Sequence, residues 1–195
     1  MGDSLVTIPP EKRWRNQEQP VPVVIAIIRR FEPGDASEER AEKYLLIKRK
    51  SGPYRHYWAL VGGKWDFGEG LASVALREIK EETGLDGSFN SLKGLVNERV
   101  ILDSSSDIEA AHFLIFVCQV DAETGDAQEK DEGAVDWFSS TEIEKLNAEG
   151  RIIPSDYAML SQFAGEDPLP YVEVEMETLS ANPGTTRMTR FEVQR

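Results

Sequence analysis

Residues 63–85 read Gly63-Lys64-Trp65-Asp66-Phe67-Gly68-Glu69-Gly70-Leu71-Ala72-Ser73-Val74-Ala75-Leu76-Arg77-Glu78-Ile79-Lys80-Glu81-Glu82-Thr83-Gly84-Leu85. From Leu71 onward apolar side chains recur at helical spacing, with Leu71, Ala75 and Ile79 on one stripe, Ala72 and Leu76 beside it, and Gly84 as a stop. The spacing predicts a helix over Leu71 to Thr83. At roughly 100° per residue, Glu78, Glu81 and Glu82 fall within about 100° of one another and form one carboxylate cluster at the margin of the apolar stripe. Ser73, Arg77 and Lys80 are expected further round, toward solvent. Like charges at this spacing oppose one another by a few tenths of a kcal/mol when exposed, and by more when partly desolvated, so a compensating charge is expected. A hard divalent cation meets that need, because Mg²⁺ prefers oxygen ligands and shares carboxylates with phosphate oxygens. A solvated acidic surface paired with lysine and arginine is the plainer reading of any two adjacent glutamates.

The residues before the helix weaken that plainer reading. Gly62 and Gly63 close the short apolar segment Tyr57 to Val61, and Glu69 stands beside Gly70 at the helix start. Glycines release the backbone for a loop that approaches a phosphate closely. A strand, loop and helix in this order would hold a metal cluster rigidly.

The stretch Gly63 to Leu85 resembles the signature of the Nudix hydrolase family. The pattern is G-x5-E-x7-R-E-U-x-E-E-x-G-U with U aliphatic, and all nine specified positions match over 23 residues, a far more specific signal than a lone glycine motif. The flanking strands fit the family's domain over about residues 21–163. One departure is Val61, where many relatives carry proline before the two glycines; it removes no metal ligand but loosens expectations about loop shape and substrate class. The resemblance implies an α/β fold, specifically an α/β/α sandwich around a mixed β-sheet, and hydrolysis of a nucleoside diphosphate linked to another moiety. It implies that Glu78, Glu81 and Glu82, with Gly63 and Glu69 as further candidates, bind Mg²⁺ or Mn²⁺, and that Arg77 orients a carboxylate. Such cations neutralise diphosphate charge, lower the pKa of a bound water and align it for displacement at phosphorus. Within the signature, Glu82 or Glu78 is a candidate general base. Family members also use a carboxylate from the loop before the last shared strand, where Glu129, Asp131 and Glu132 stand here, with Glu132 and Glu129 ranked first. Ordinary solvated loop acids are the competing reading, because ten acids lie between Asp121 and Glu149.

For substrate binding, Lys48 to Arg55 carries four cations and no acid. Arg49, Lys50 and Arg55 are candidates to meet phosphates, alongside Gly62, Gly63 and Trp65 at the loop, and Tyr54, Tyr57, Trp58 or Trp65 to stack on a base. Trp58 and Trp137 read equally as core aromatics, His56 as a loop residue, His112 as a satisfied core histidine and Cys118 as a small buried hydrophobe. An ADP-sugar such as ADP-ribose is favoured over a nucleoside triphosphate. A triphosphate-cleaving housecleaning enzyme is the alternative, and a non-catalytic nucleotide sensor is the alternative from another class. Loss of a signature carboxylate would favour the sensor, and none is lost.

Composition sets the frame. The chain has 195 residues, 40% hydrophobic and 29% charged, with 35 acidic against 22 basic side chains and a formal charge of −13. This suits one domain with short additions: an arm over 1–20, a Nudix domain over 21–164 and an extension over 165–195. The negative excess argues against binding a nucleic-acid backbone or an anionic membrane. The lone cysteine excludes an intrachain disulfide and a cysteine-rich structural zinc site. The apolar run Val21 to Ile28 is far short of the roughly 20 residues that span a bilayer, and without a recognisable leader a cytoplasmic protein is expected. Buried strands are predicted at Val23 to Ile28 and Tyr44 to Ile47. Longer ones are predicted at Leu92 to Leu102 and Ile108 to Val120, the latter central in the sheet, with a loop over Asp103 to Asp107. Short helices are expected from Thr141 to Leu146 and from Ser155 to Phe163, the second capped by Ser155 or Asp156. Tyr171 to Thr178 and Thr186 to Val193 would form a terminal hairpin about Asn182-Pro183-Gly184, available to join two subunits as a homodimer.

Overall fold

The computed structural model describes residues 9–32, 41–100, 109–122, 125–165, 167–178 and 186–194. The predicted 103–107 loop and the Asn182-Pro183-Gly184 turn lie outside them. The β-branched run near the start forms the long strand β1 (Val21–Glu32), followed by β2 (Ala41–Arg49), β3 (Trp58–Ala59) and β4 (Val61–Lys64). Helix α1 (Leu71–Thr83) has the predicted bounds. It leads into β5 (Gly87–Val100), β6 (Ala111–Ala122) and β7 (Gly133–Phe138), then α2 (Ser140–Ala148) and α3 (Pro154–Phe163). The seven strands make one sheet in the order β3-β2-β1-β6-β5, with β4 paired to β1 and β7 to β2. β1 and β6 run parallel, with Ile25 opposite Val117, while the other pairings are antiparallel, so the sheet is mixed. β6 is central, as its apolar run requires.

Strand periodicity builds the two cores. Val24, Ala26 and Ile28 of β1 face one side of the sheet, where Leu71, Val74, Ala75 and Ile79 of α1 cover them. Ile27 faces the other side, under Ile143 and Leu146 of α2 and Met159 and Leu160 of α3. Each fully buried branched side chain contributes roughly 1.5–3 kcal/mol. The result is the expected sandwich. Trp58 and Cys118 are buried, and Trp137 lies beneath the Arg30 guanidinium at 4.2 Å. His112 is only half-buried, its Nε2 2.6 Å from Asn97 Oδ1, so a polar strand neighbour rather than the core satisfies it.

Two details correct the sequence reading. α2 starts earlier than expected because Ser139 is its cap, in a reciprocal capping box with Glu142 whose carboxyl is pulled down to about 2 by the Ser139 backbone N–H. α3 has no side-chain cap; Pro154 opens it, and Asp156 is instead buried, accepting the Leu60 backbone N–H at 2.7 Å. The arm is docked: Arg13 bridges Ala110, Trp14 meets Phe113 edge-on at 5.4 Å, and Gln17 accepts the His112 N–H at 3.1 Å. β8 (Tyr171–Thr178) and β9 (Thr186–Gln194) form a separate two-stranded sheet at the predicted positions. Among the described residues no helix is long and apolar enough to cross a membrane.

Candidate active site

The segment between β4 and α1 folds back along the helix. Trp65 Nε1 donates to the Glu69 carbonyl at 2.9 Å, and the Asp66 N–H donates to the Glu69 carboxylate at 3.1 Å. That carboxylate then receives Arg77 through Nε at 2.7 Å and Nη2 at 2.9 Å, a two-pronged bond. Arg77 also donates to the Lys64 carbonyl at 3.2 Å and to Glu78 at 2.6 Å, and it lies 3.3 Å from Glu81. The helical wheel had sent Arg77 toward solvent; the folded-back segment covers that side, and the guanidinium becomes the hub of the cluster. The bond from Glu69 raises the Arg77 pKa, and the same bond holds the Glu69 carboxyl below its ordinary value. Glu69 therefore anchors Arg77, and it is not among the residues lining the acidic cavity.

That cavity, about 640 Å³, is lined by Lys50, Glu78, Glu81, Glu82, Glu129, Lys130, Asp131 and Glu132. It brings the signature acids against the loop before β7, which carries Glu129 and Glu132, the loop acids that the resemblance made candidates. The loop is tied on both sides. Its Gln128 N–H donates to the Thr83 carbonyl at the end of α1 at 2.8 Å, and the Lys50 N–H donates to the Glu132 carbonyl at 3.1 Å. Lys50 Nζ reaches the Lys130 carbonyl at 2.9 Å and Glu129 at 2.8 Å. Pairing of Gly133 with Arg49 fixes this register.

Within the cavity the carboxylates differ. Burial pushes Glu82 up to about 8, helped by the charges of Glu78 and Glu132 and opposed by a hydrogen bond from the Gly62 N–H and by Arg49. Burial also raises Glu78, against the pull of Arg77. The Glu78 side chain is 12% exposed and that of Glu81 61%, so Glu78 and Glu82 form the sheltered pair and Glu81 the outer member. No three acidic, histidine or cysteine side chains among the described residues converge closely enough to hold an ion as they stand. The donor chemistry nonetheless fits a hard divalent cation, because two sheltered carboxylates face further acids, and an all-oxygen set is what Mg²⁺ and Mn²⁺ prefer.

The remaining candidates divide. Gly62 and Gly63 are strand residues of β4, paired with Ile25 and Val24, not members of a phosphate loop. A Cβ at position 62 would strike the β1 backbone, and one at 63 would strike the Glu78 carboxylate, which is why both are glycine. Trp65 forms a T-shaped pair with Phe116 at 4.9 Å and donates its N–H to Glu69, which makes it part of the core margin. Arg55 sits on an exposed turn and Arg49 only adjoins the site; of the basic run, Lys50 is the residue lining the cavity. In that turn Tyr54 and His56 adopt left-handed backbone, φ 60° and 73°. Lys130 was missed, because one lysine in an acidic run reads as solvated; its side chain lies over Gly84.

Comparison with known proteins agrees with this geometry. The profile of the NUDIX domain matches residues 21–160. The chain is 34% identical over 125 residues to a protein named ADP-ribose pyrophosphatase from Methanocaldococcus jannaschii, covering 63% of this chain and 70% of that one. It is 29% identical over 106 residues to the uncharacterized Nudix hydrolase YvcI of Bacillus subtilis, covering 54% and 63%. The crystal structure of a MutT NUDIX hydrolase from Burkholderia pseudomallei superposes with a TM-score of 0.54 at 26% identity, covering 74% of this chain and 98% of that one. A complete signature on α1, the mixed-sheet sandwich around it and a domain profile spanning most of the chain lead to one conclusion: the protein belongs to the Nudix hydrolase family.

Proposed function

We propose that this Nudix hydrolase is a divalent-metal-dependent pyrophosphohydrolase that cleaves a nucleoside diphosphate linked to another moiety, with an ADP-sugar of the ADP-ribose type as substrate. The observation that carries the reaction class is the sheltered Glu78 and Glu82 pair facing Glu132 across an acidic cavity. Anionic substrate would not enter such a cavity unaided, so charge neutralisation is built into the chemistry. Glu78 and Glu82, with Glu81 and the Gly63 carbonyl, would hold Mg²⁺ or Mn²⁺. When bound, the cation supplies Lewis acidity toward the diphosphate oxygens and acidifies water.

The chain's own groups supply the rest. Arg77, anchored by Glu69, keeps Glu78 oriented. A water oxygen forms the new bond to phosphorus, the bridging anhydride P–O bond breaks, and the water proton passes to a carboxylate. Glu132 is the preferred acceptor, since it lines the cavity and its charge reaches Glu82, whereas Glu129 is engaged by Lys50. Lys50 and Lys130, which both line the cavity, are the cations placed toward a substrate phosphate.

Similarity to the protein named ADP-ribose pyrophosphatase supports the ADP-sugar assignment. The test is a panel of ADP-ribose, other nucleotide sugars, dinucleotides and nucleoside triphosphates with Mg²⁺, with products resolved by chromatography. AMP and a sugar phosphate from ADP-ribose are expected; turnover of triphosphates alone would replace the substrate class. Exposed Met188, Phe191 and Val193 on β9 support a homodimer through the hairpin, and a monomer mass in light scattering would end that reading.

A further inference from the structure

α1 is badly provided for at its N-terminus. Its cap residue, Gly70, offers no side chain, and the first turn contains no acid. Its acids, Glu78, Glu81 and Glu82, lie in the last two turns, where the helix dipole opposes them. An uncapped first turn under such a load should fray.

The missing acceptor comes from 102 residues away. Glu173 on β8 accepts the Leu71 N–H through Oε1 at 3.0 Å. Its side chain is only 13% exposed, and Arg190 on β9 lies 3.4 Å from its other oxygen, while the Tyr171 hydroxyl approaches Oε1 at 3.4 Å. The fit is close: a Cβ on Gly70 would lie 2.7 Å from Glu173 Oε1. The junction this carboxylate pins is also the root of the site. Gly70 follows Glu69, Glu69 accepts from Arg77 through both of its oxygens, and Arg77 donates to Glu78.

We propose that Glu173 is a positioning residue, a remote N-cap by which the C-terminal hairpin fixes the start of α1 and, through Glu69 and Arg77, the placement of the metal-holding Glu78. This rests on the reading of α1 as the metal-holding helix. It gives the C-terminal extension a role in the site without requiring it to touch substrate. It also explains glycine at position 70, where a side chain would collide with the incoming carboxylate.

The test uses the full chain and two readouts. The first is amide hydrogen exchange of the segment 71–76. Glu173→Ala should exchange there about five- to tenfold faster, the range expected for loss of one cap, and Glu173→Gln, which keeps an acceptor oxygen, should recover most of the protection. Gly70→Ser restores a local cap and, combined with Glu173→Ala, should return exchange to near the wild-type rate. The second readout is Mn²⁺ binding followed by electron paramagnetic resonance without nucleotide, expected to weaken severalfold in Glu173→Ala and to recover in the double variant. In turnover assays Glu173→Ala alone should lose kcat with KM little changed. Unchanged exchange in Glu173→Ala, or no recovery on adding Gly70→Ser, would overturn the cap. Faster exchange with unaltered Mn²⁺ binding would overturn its link to the site. If the wild-type protein hydrolysed none of the nucleotides offered, the proposed function would fall while exchange still decided the cap.

Discussion

Gly63 and Glu78 occupy adjoining space so closely that any side chain at 63 would displace the carboxylate at 78. The pairing of Gly63 with Val24 holds the strand in place, so the strand cannot retreat and the carboxylate would have to move. Gly63→Ala is therefore expected to keep the fold, read as an unchanged far-ultraviolet dichroism spectrum, while lowering kcat by about a hundredfold, as displacement of a catalytic group by an ångström does. Wild-type turnover in this variant would mean that Glu78 acts from some other position.

Glu82→Gln separates catalysis from stability. Loss of a positioned acid or charge should lower kcat by at least about a hundredfold. Stability moves the other way. Burial raises the Glu82 pKa to about 8, so the folded protein resists ionising it, and stability is lost as pH rises from the ordinary carboxyl range through about 8. In chelator, the variant should melt no lower than wild type at pH 6 and higher at pH 9. A lower melting temperature at pH 9 would show that the Glu82 charge is stabilised in the metal-free fold.

The span of α1 and the central place of β6 were legible because periodicity reports which face of an element is buried, and these two elements pack into the core; the hairpin strands were legible from alternation and the turn signal between them. That Glu78, Glu81 and Glu82 share one side of α1 was legible from spacing, and all three line the cavity. The surroundings of Arg77 were not legible, because a wheel describes a helix in isolation and says nothing of residues 64–69 returning along it; only the family resemblance pointed Arg77 at a carboxylate. Gly62 and Gly63 lie in a strand where a loop was expected, for a related reason: glycine signals close approach, but the approaching groups, the β1 backbone and the Glu78 carboxylate, come from other elements. Trp65 looked like a stacking platform, but its contact with Phe116 and its bond to Glu69 tie it to the core margin. Lys50 stood out from Arg49 and Arg55 only once β7 had paired with β2 and carried the 128–132 loop to it.

Lys50 tethers that loop and offers the cavity a positive charge. Its ion pair with Glu129 is largely solvent-exposed, 46% and 58% for the two side chains, and such pairs are worth about 0–1 kcal/mol. Lys50→Met should thus change thermal stability little. Its kinetic effect should fall on KM for the nucleotide, raised about tenfold by the loss of a phosphate-facing cation, with a smaller change in kcat. Steady-state kinetics on ADP-ribose decide the matter; a defect confined to kcat would assign Lys50 to loop positioning and not to substrate.

Asp156 provides a pH signature independent of the site chemistry. It is buried at the start of α3 and accepts the Leu60 N–H. Burial raises its carboxyl to about 7; the Glu98 charge adds to the rise, while the Leu60 and Ser155 hydrogen bonds and the Arg49 charge oppose it. In the unfolded chain the same group ionises near 3.8. Between these values the folded state holds more protons than the unfolded one, so stability falls as pH rises from about 4 to about 7 and is level above. The contribution is on the order of 4 kcal/mol. Asp156→Asn keeps an acceptor for Leu60 and removes the ionisation. Urea titrations across this range should show a flatter stability profile for the variant, with the two proteins closest at pH 4 and the variant ahead at pH 7.5. Parallel profiles would place the Asp156 proton elsewhere, and a variant less stable at every pH, pH 4 included, would mean that the amide does not fit the place of the neutral carboxyl.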